Sequence, residues 1–167
     1  MPIENEQKYV LLPHFPENAL PGWEHVSIRQ GYLDDGPRIW QFGGHYVFTY
    51  KRWLADENAQ IEIETALSQK DFERLWPLCT VILTKDRYIK QVDDLEWVVD
   101  FLKDDHGKTY FTLAEVEMPE HMDKPIEIIP EISEFIIHAP EKGDKNYSNK
   151  RLADQGHARS LLERLDT

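Results

Sequence analysis

Sulfur, positive charge and long apolar runs are scarce in this 167-residue sequence. Its one cysteine, Cys79, excludes an internal disulfide framework. The 19 lysines and arginines are outnumbered by 31 aspartates and glutamates, and the resulting net charge of -12 argues against a nucleic-acid or anionic-membrane binder that works through its net field. No apolar run approaches the roughly 18 residues of a membrane span, and no basic-then-apolar leader opens the chain, so the sequence predicts a soluble cytoplasmic protein.

The residues that are present suit a globular fold made mostly of strands. Hydrophobic residues form 41% of the chain, which is ordinary for a globular protein, and the length favours one domain over residues 1–167. Short alternating or apolar runs, separated by turns rich in Gly, Pro and Asp, predict strands at 3–12, 26–33, 38–42, 46–53, 59–67, 80–90, 95–102 and 109–118. This pattern predicts an α+β protein, mainly antiparallel β: an eight-stranded closed barrel with helices outside.

Two segments have the pattern of helices. The first is 68–78, where Ser68 and Asp71 resemble a capping box and Pro77 marks the end. The second is 146–165, capped near Ser148 or Asn149, and its inward residues are predicted to be Leu161, Leu162 and Leu165. The run "EISEFII" predicts one more short element.

Charged residues recur at alternate positions inside the predicted strands. "ENEQK" places Glu4, Glu6 and Lys8 on one face of the first strand, because alternate side chains of a strand point the same way. The later strands contribute Arg38, Lys51, Glu62 with Glu64, Lys85 with Arg87, Asp100, and Glu115 with Glu117. Any single pair is consistent with the solvated outside of a half-buried sheet. The set favours inward charges, since "LEWVVDFL" and "FTLAEVEM" are apolar on both sides of the charge and a polar group there needs a partner.

If these residues point inward, the barrel encloses a tunnel lined by charges of both signs. Facing carboxylates repel one another, and so do facing lysines and arginines. Hard divalent cations such as Mg²⁺ or Mn²⁺ prefer carboxylate oxygens, and a polyphosphate accepts hydrogen bonds from Lys and Arg. The mixture of signs therefore predicts a metal-bound polyphosphate as the guest.

In motif order the chain resembles the CYTH domain of the triphosphate tunnel metalloenzymes, a family with inorganic triphosphatases, thiamine triphosphatases and class IV adenylate cyclases. "ENEQK" is similar to the family's E-x-E-x-K signature. "IRQGYL", "PRIWQF", "YVFTYK", "IEIE", "TKDRY", "WVVDFL" and "LAEVEM" follow in the family's order, and "GDKNYSNKRLA" is similar to its carboxy-terminal signature. The resemblance covers essentially the whole chain and implies an eight-stranded tunnel that binds a triphosphate and one or two divalent metals.

The resemblance also implies a role for each of these residues. Phosphate oxygens would be held by Lys8, Arg38, Lys51, Lys85 and Arg87. Metal would be held by Glu4, Glu6, Asp100, Glu115 and Glu117, with Glu62 and Glu64 on the tunnel wall as further metal-site carboxylates. Glu4 and Glu6 would act in catalysis through the metal, and Lys8 would orient or deprotonate the attacking water.

One position departs from the family pattern. The family usually has Arg-x-Arg where this chain has Arg38 and Trp40, so one phosphate clamp is absent. Trp40 is either a ring that stacks on a base or a packed aromatic near the rim of the tunnel, and the second is favoured.

Three functions remain open at this stage. The first is metal-dependent hydrolysis of a small triphosphate: tripolyphosphate, a nucleoside triphosphate or thiamine triphosphate. The second is a class IV-type adenylate cyclase that produces cyclic AMP, and the third is a polyphosphate-binding module without turnover. No nucleic-acid or membrane partner is predicted, and a homodimer is one assembly that the sequence leaves open.

Overall fold

The computed structural model describes residues 3–34 and 36–165, with the side chain of residue 3 left out. Its strands are β1 (Ile3–Glu4), β2 (Glu6–Leu11), β3 (Glu24–Tyr32), β4 (Arg38–Phe42), β5 (His45–Leu54), β6 (Ala59–Ala66), β7 (Val81–Val92), β8 (Leu95–Lys103), β9 (Thr109–Glu117) and β10 (Ile136–His138). Its helices are α1 (Gln69–Leu75), α2 (Pro130–Ser133), α3 (Asn149–Leu152) and α4 (Gln155–Leu165). Short 3₁₀ turns lie at Glu17–Ala19, Ala55–Glu57, Trp76–Leu78 and Lys145–Tyr147. The predicted α+β class with mainly antiparallel strands is therefore confirmed. No helix within the described ranges is long and apolar enough to cross a membrane.

The prediction of an eight-stranded closed barrel is wrong. The described ranges contain ten strand segments in one antiparallel sheet, with the order β1-β6-β5-β4-β3-β7-β8-β9-β2-β10, and no ladder of hydrogen bonds joins its two ends. The predicted strand 3–12 divides at Asn5: β1 pairs with β6, whereas β2 pairs with β9 and β10. The covalent backbone at Asn5 thus connects β1, at the β6 side of the sheet, to β2, at the β9 side. A closed barrel would have a ladder of hydrogen bonds there.

Asn5 divides the strand because its side chain bonds to loops. Its Nδ2 donates to the carbonyl oxygens of Pro119 (2.8 Å) and Met122 (2.6 Å), and its Oδ1 accepts from Lys142 Nζ at 2.8 Å. These bonds fix the chain where it passes from one side of the sheet to the other.

An apolar cluster fills one end of the space inside the curved sheet. Lys8, Lys85 and Glu115 face this space, and the residues two positions along on the same strand faces are Val10, Leu83 and Leu113. These three pack with Tyr147, Leu152 and Leu161 of the carboxy-terminal segment. The opposite face of β2, β8 and β9 carries a second apolar cluster, which is covered by side chains from the loops on either side, such as Phe15, Leu20, Ile129 and Ile132.

The first predicted helix forms where the capping pattern places it. Ser68 Oγ accepts a hydrogen bond from the backbone N–H of Asp71 at 3.0 Å, which satisfies one of the free donors at the start of α1. The α-helix ends at Leu75, and the 3₁₀ turn that contains Pro77 continues to Leu78.

The second predicted helix, 146–165, is broken into three pieces. Ser148 Oγ caps α3 by accepting from the N–H of Arg151 at 3.2 Å. Asp154 then begins α4, since its carbonyl oxygen accepts from the N–H of Ala158 at 3.0 Å and its Oδ1 accepts from the N–H of His157 at 3.1 Å. Side chains that bond locally to the backbone in this way interrupt helices. The predicted inward residues do pack inward: Leu161 is buried, and Leu162 and Leu165 pack against the same cluster.

A close backbone contact explains the glycine in β3. A Cβ at Gly31 would lie 2.5 Å from Cys79 Sγ and 3.1 Å from the ring of Trp76. We expect Gly31→Ala to lower the free energy of unfolding by about 1–3 kcal/mol, because the neighbours must shift to admit the methyl group. Urea denaturation measures the change. Gly44→Ala is the control, since nothing lies within 4 Å of its Cβ, and equal midpoints for the two variants would contradict the expectation.

Candidate functional site

The concave face of the sheet lines a cavity of about 1000 Å³. Eleven of the twelve predicted site residues line it: Glu4, Glu6, Lys8, Arg38, Lys51, Glu62, Glu64, Lys85, Arg87, Glu115 and Glu117. They come from seven strands, and strand alternation brings them to one side because each pair lies two residues apart. The structure therefore brings these charged residues together along one cavity.

Asp100 is the predicted residue that does not line the cavity. It is fully buried beside the cavity-lining residues Lys85 and Arg87: Arg87 donates from Nε (2.7 Å) and Nη2 (2.8 Å) to its two oxygens, and Lys85 Nζ lies 2.9 Å from Oδ2. Burial raises the pKa of the Asp100 carboxyl, but the charges of Arg87 and Lys85 outweigh burial and hold this pKa well below its usual range. Burial and the charge of Arg87 lower the pKa of Lys85 to about 8, against the attraction of Asp100.

A second cluster of charges lies across the cavity on β1, β5 and β6. Lys51 Nζ contacts Glu4 Oε1 at 3.0 Å and Glu62 Oε2 at 3.2 Å, and Gln60 Nε2 donates to Glu4 Oε2 at 2.9 Å. Burial and the charge of Arg38 lower the pKa of Lys51, but the surrounding carboxylates outweigh both and raise it above its usual value. Burial raises the pKa of Glu4, and the attraction of Lys51 only partly offsets this.

The carboxylates of β2 and β9 form the least compensated part of the cavity. Glu6 pairs in register with Glu117, and Lys8 pairs with Glu115. Burial, followed by the charge of Glu6, raises the pKa of Glu115, and burial and the charge of Glu4 raise the pKa of Glu117. The Oε1 atom of Glu115 is buried without a hydrogen-bond partner.

Carboxylate oxygens are the ligands that hard divalent cations prefer, but these carboxylates do not lie close enough together to form a metal site. Within the described ranges, no three His, Cys, Asp or Glu side chains stand close enough together to hold a metal ion. The buried, unpartnered oxygen of Glu115 and the mutual repulsion with Glu6 are nevertheless what a cation would relieve.

The raised pKa of Glu115 leads to a prediction about stability. A carboxyl with a raised folded-state pKa stabilises the fold below its unfolded-state pKa, here 4.5, and this contribution is lost as the pH rises through the folded-state value. We therefore expect Glu115→Gln to raise the free energy of unfolding at pH 7 by about 1 kcal/mol, and to have less effect as the pH falls toward 4.5. Urea denaturation at several pH values measures this, with the exposed Glu163→Gln as control; a variant less stable than the wild type at pH 7 would contradict it.

Lys8 and Arg38 are less firmly paired than the other three predicted phosphate-binding cations. Lys8 Nζ donates to the carbonyl oxygen of Tyr147 at 3.0 Å and lies 3.8 Å from Glu6 Oε1. Arg38 stacks its guanidinium on Trp40 at 5.3 Å, and its Nε is buried without a hydrogen-bond partner. Trp40 lines the cavity and donates from Nε1 to Thr49 Oγ1 at 2.9 Å.

Sequence reasoning missed two sets of lining residues. The first is the segment 140–151, which brings Lys142, Lys145, Lys150 and Arg151 to the cavity; its charges were visible in "GDKNYSNKRLA", but their direction was not. The second is a group of uncharged side chains from β3, β4 and β5, which a search for charges passes over: Ile28, Gln30, Tyr32, Trp40 and Thr49.

Comparison with known proteins supports the fold at a coarse level. No protein-family profile and no curated protein sequence matches the chain. Among solved structures, it is similar to the PH1012 protein of Pyrococcus horikoshii OT3, with a TM-score of 0.54, 13% identity, and coverage of 98% of this chain and 90% of the other. It is also similar to "a putative adenylate cyclase (bh2851)" of Bacillus halodurans, with a TM-score of 0.51, 15% identity, and coverage of 72% and 83%. Likeness at these identities concerns the fold alone, and it is consistent with the CYTH and class IV adenylate cyclase-like fold that the motif order predicts.

Proposed function

We propose that this chain hydrolyses a small triphosphate in the cavity with the help of a divalent cation. The observation that supports the proposal is a pair of buried atoms without hydrogen-bond partners, on two residues that line the same cavity. One is a donor on a cationic side chain, Arg38 Nε, and the other is an acceptor on a carboxyl group, Glu115 Oε1. Buried polar atoms normally have partners. A phosphate oxygen would satisfy the first atom and a cation the second, so a metal-bound phosphate chain supplies both.

The phosphate chain in this proposal is held by five cations that face the cavity. Arg38 offers a guanidinium that matches phosphate oxygens, and Lys8 lies across the cavity on β2. Lys85 and Arg87 are fixed in place by Asp100, so their charges need little reorganisation when the ligand arrives. Lys51, although paired with Glu4 and Glu62, adds a fifth charge.

The proposal changes the role of Asp100 from metal ligand to positioning residue. Both of its oxygens already accept hydrogen bonds from Arg87, and Lys85 contacts the second of them. Removing the carboxylate from these partners to bind a metal would leave the buried Lys85 and the partly buried Arg87 without its compensation.

Mg²⁺ or Mn²⁺ would draw together carboxylates that lie too far apart in this structure to form a site by themselves. These would be Glu6, Glu115 and Glu117, with Glu4 beside them and Glu62 and Glu64 on the adjoining wall. When bound, such a cation would neutralise charge on the phosphoryl group and lower the pKa of a bound water. The protein itself orients the phosphate chain and excludes bulk water. Lys8 Nζ, which lies near Glu6, holds the attacking water.

Product analysis separates hydrolysis from its alternatives. We expect purified protein with Mn²⁺ or Mg²⁺ to release orthophosphate from tripolyphosphate or ATP. We expect Glu4→Ala combined with Glu6→Ala to reduce the rate at least 100-fold, a typical loss when charge stabilisation at a reacting group is removed. Hydrolysis that survives this double substitution unchanged would overturn the metal assignment.

A cyclase is the second candidate, favoured by the fold similarity to the Bacillus halodurans protein described above. Cyclic AMP and pyrophosphate from ATP would support it, because the ribose hydroxyl would then replace water as the nucleophile. Tight binding without products would instead support the polyphosphate-binding module.

A further inference from the structure

The edge of β6 that faces β1 is open over residues 62–66. On its other side β6 pairs with β5 along its whole length, but on this side it pairs with β1 at Gln60 and Ile61. No strand of the described ranges pairs with 62–66 there, and residues 63–66 are exposed. The backbone groups that point away from β5 along this stretch can therefore bond to an added strand.

This open edge lacks the features by which proteins protect the edge of a sheet. Protected edges are usually short, bulged or interrupted by lysine or proline. The edge strand at the other end of the sheet, β10, has these features, because it is three residues long and its pairing shifts register. Residues 62–66, with the sequence EIETA, contain no lysine or proline, and their pairing with β5 is regular. Such an edge is a template for a partner strand.

The outer face of the open edge is apolar. Ile63 lies between two cavity-lining residues, so alternation directs its side chain to the outside of the sheet. It is directly opposite Tyr50 on β5, and 51% of the surface of Ile63 and 36% of that of Tyr50 are exposed. An added strand would place a side chain beside Ile63 on the same face, and an apolar residue there would bury surface that is now exposed.

The inner face of the open edge is acidic. Glu62 and Glu64 line the cavity, and Lys51 Nζ lies 3.2 Å from Glu62 Oε2. Glu64 has no cation at salt-bridge distance within the described part of the chain, and its Oε1 accepts one hydrogen bond, from Thr49 Oγ1 at 3.3 Å. A basic side chain on the inner face of an added strand would compensate this carboxylate, because opposite charges on neighbouring strands attract.

A second copy of the chain does not suit this edge. Antiparallel self-pairing about a two-fold axis at Glu64 would place this carboxylate directly opposite its equivalent. An axis at Ile63 would place Glu62 opposite Glu64 of the second copy. Like charges directly opposite on neighbouring strands are destabilising. The net charge of -12 likewise favours a basic partner.

We propose that residues 62–66 dock an extended segment of another protein by strand addition. The segment runs antiparallel to β6, as β1 and β5 do, and it alternates lysine or arginine with apolar residues. Its basic side chains lie on the inner face beside Glu64, and its apolar side chains lie on the outer face beside Ile63. This protein-recognition role is separate from the hydrolysis proposed above.

Fluorescence anisotropy with end-blocked seven-residue peptides tests the inference. We expect a peptide of alternating lysine and valine to bind about tenfold more tightly than one of the same composition with contiguous lysines. The reason is that alternation alone places the charges on one face and the apolar side chains on the other. Because the two peptides have the same net charge, attraction to the general negative charge of the protein produces no difference.

Methylation of the peptide nitrogens tests whether the contact is made along the edge. In an extended peptide the N–H groups of the lysines point to one edge and those of the valines point to the other. We therefore expect N-methylation of one set to abolish binding and N-methylation of the other set to preserve it.

Substitutions in the protein locate the site. We expect Glu64→Lys to reverse the preference, so that a peptide of alternating glutamate and valine binds more tightly than the lysine peptide. Ile63→Ser is expected to weaken binding of the lysine peptide about fivefold. The control is Ile126→Ser, at an isoleucine that is 90% exposed in the loop 119–129, and it leaves the affinity unchanged. Thermal melting of each variant confirms folding, and the N-methylated peptides with wild-type protein decide the matter if a variant unfolds.

Three results would overturn the inference. The first is equal affinity for the alternating and contiguous peptides, or no binding of either. The second is an equal effect of the two methylation patterns. The third comes from sedimentation of the protein alone: a dimer that Ile63→Ser dissociates would assign the edge to a second copy.

Discussion

Asp100→Asn is expected to lower the free energy of unfolding by about 3–5 kcal/mol, the usual cost of removing one partner from a buried ion pair. Asp100 is fully buried and compensates both Lys85 and Arg87. An asparagine keeps the shape but not the charge, so the two cations would face each other inside the protein without a carboxylate between them. Such a loss is a large fraction of the stability of an ordinary domain.

Urea denaturation with two comparisons tests this expectation. Glu131→Gln breaks the exposed pair with Lys90 and is expected to cost less than 1 kcal/mol. Lys85→Met, Arg87→Met and Asp100→Leu together remove the two buried charges and the partly buried Arg87, and this triple variant should recover at least half of the stability that Asp100→Asn loses. If Asp100→Asn lowered the free energy of unfolding no more than Glu131→Gln does, Asp100 would not be the residue that compensates the two cations.

The sequence predicts the strands and the charged side chains that line the cavity because both depend on local alternation. The charges of "ENEQK", "TKDRY" and "AEVE" lie two residues apart, so each run sends its charges to one face whatever its neighbours are. The apolar residues beside those charges, such as Leu83 and Leu113, indicate which face is enclosed. Each strand by itself therefore predicts which of its charges share a face, and the strands taken together favour the inward direction.

Features that depend on distant partners could not be predicted in this way. The interruption at Asn5 is fixed by the carbonyl groups of Pro119 and Met122, more than a hundred positions away. The expected role of Asp100 as a metal ligand likewise ignored Arg87, which lies in register with it on the adjacent strand. The break in the last helix at Asp154 had a local signal, a side chain that caps helices, but the continuous polar and apolar pattern on either side obscured it.

Sequence patterns typical of helices and strands also do not predict whether a long basic side chain in a loop points into the cavity. Lys142 bonds to Asn5 and stands at the cavity, whereas Arg159 is exposed on α4, a helix packed by its leucines. Gly143 shows why the segment bends toward the cavity: its φ of +81° is left-handed, and a Cβ there would lie 2.8 Å from the ring of Trp53. Only the folded chain brings these two residues together.

Arg38→Ala is expected to weaken triphosphate binding about 10- to 100-fold while it leaves the free energy of unfolding within about 0.5 kcal/mol of the wild type. The binding loss is that of one or two charge-assisted hydrogen bonds to phosphate oxygens. Arg38 has no carboxylate partner at salt-bridge distance among the described residues, so its removal breaks no ion pair. Its removal also takes away a buried donor that lacks an acceptor, and this gain is expected to offset the lost stacking on Trp40. Substitution of a residue that serves only the fold would lower the free energy of unfolding and leave triphosphate affinity unchanged.

Arg29→Ala is the matched control for this prediction. Arg29 lies on the neighbouring strand β3 but faces outward, where it donates to Gln41 and stacks on Phe72 and Trp76. Its removal should cost stability and leave triphosphate affinity unchanged, as measured by calorimetric titration and urea denaturation on the same preparations. Equal losses of affinity in the two variants would mean that the chain attracts phosphate through general surface charge, which a net charge of -12 already disfavours. A loss confined to Arg38→Ala would place the anion on the inner face of β4, where the buried Nε of Arg38 lacks an acceptor.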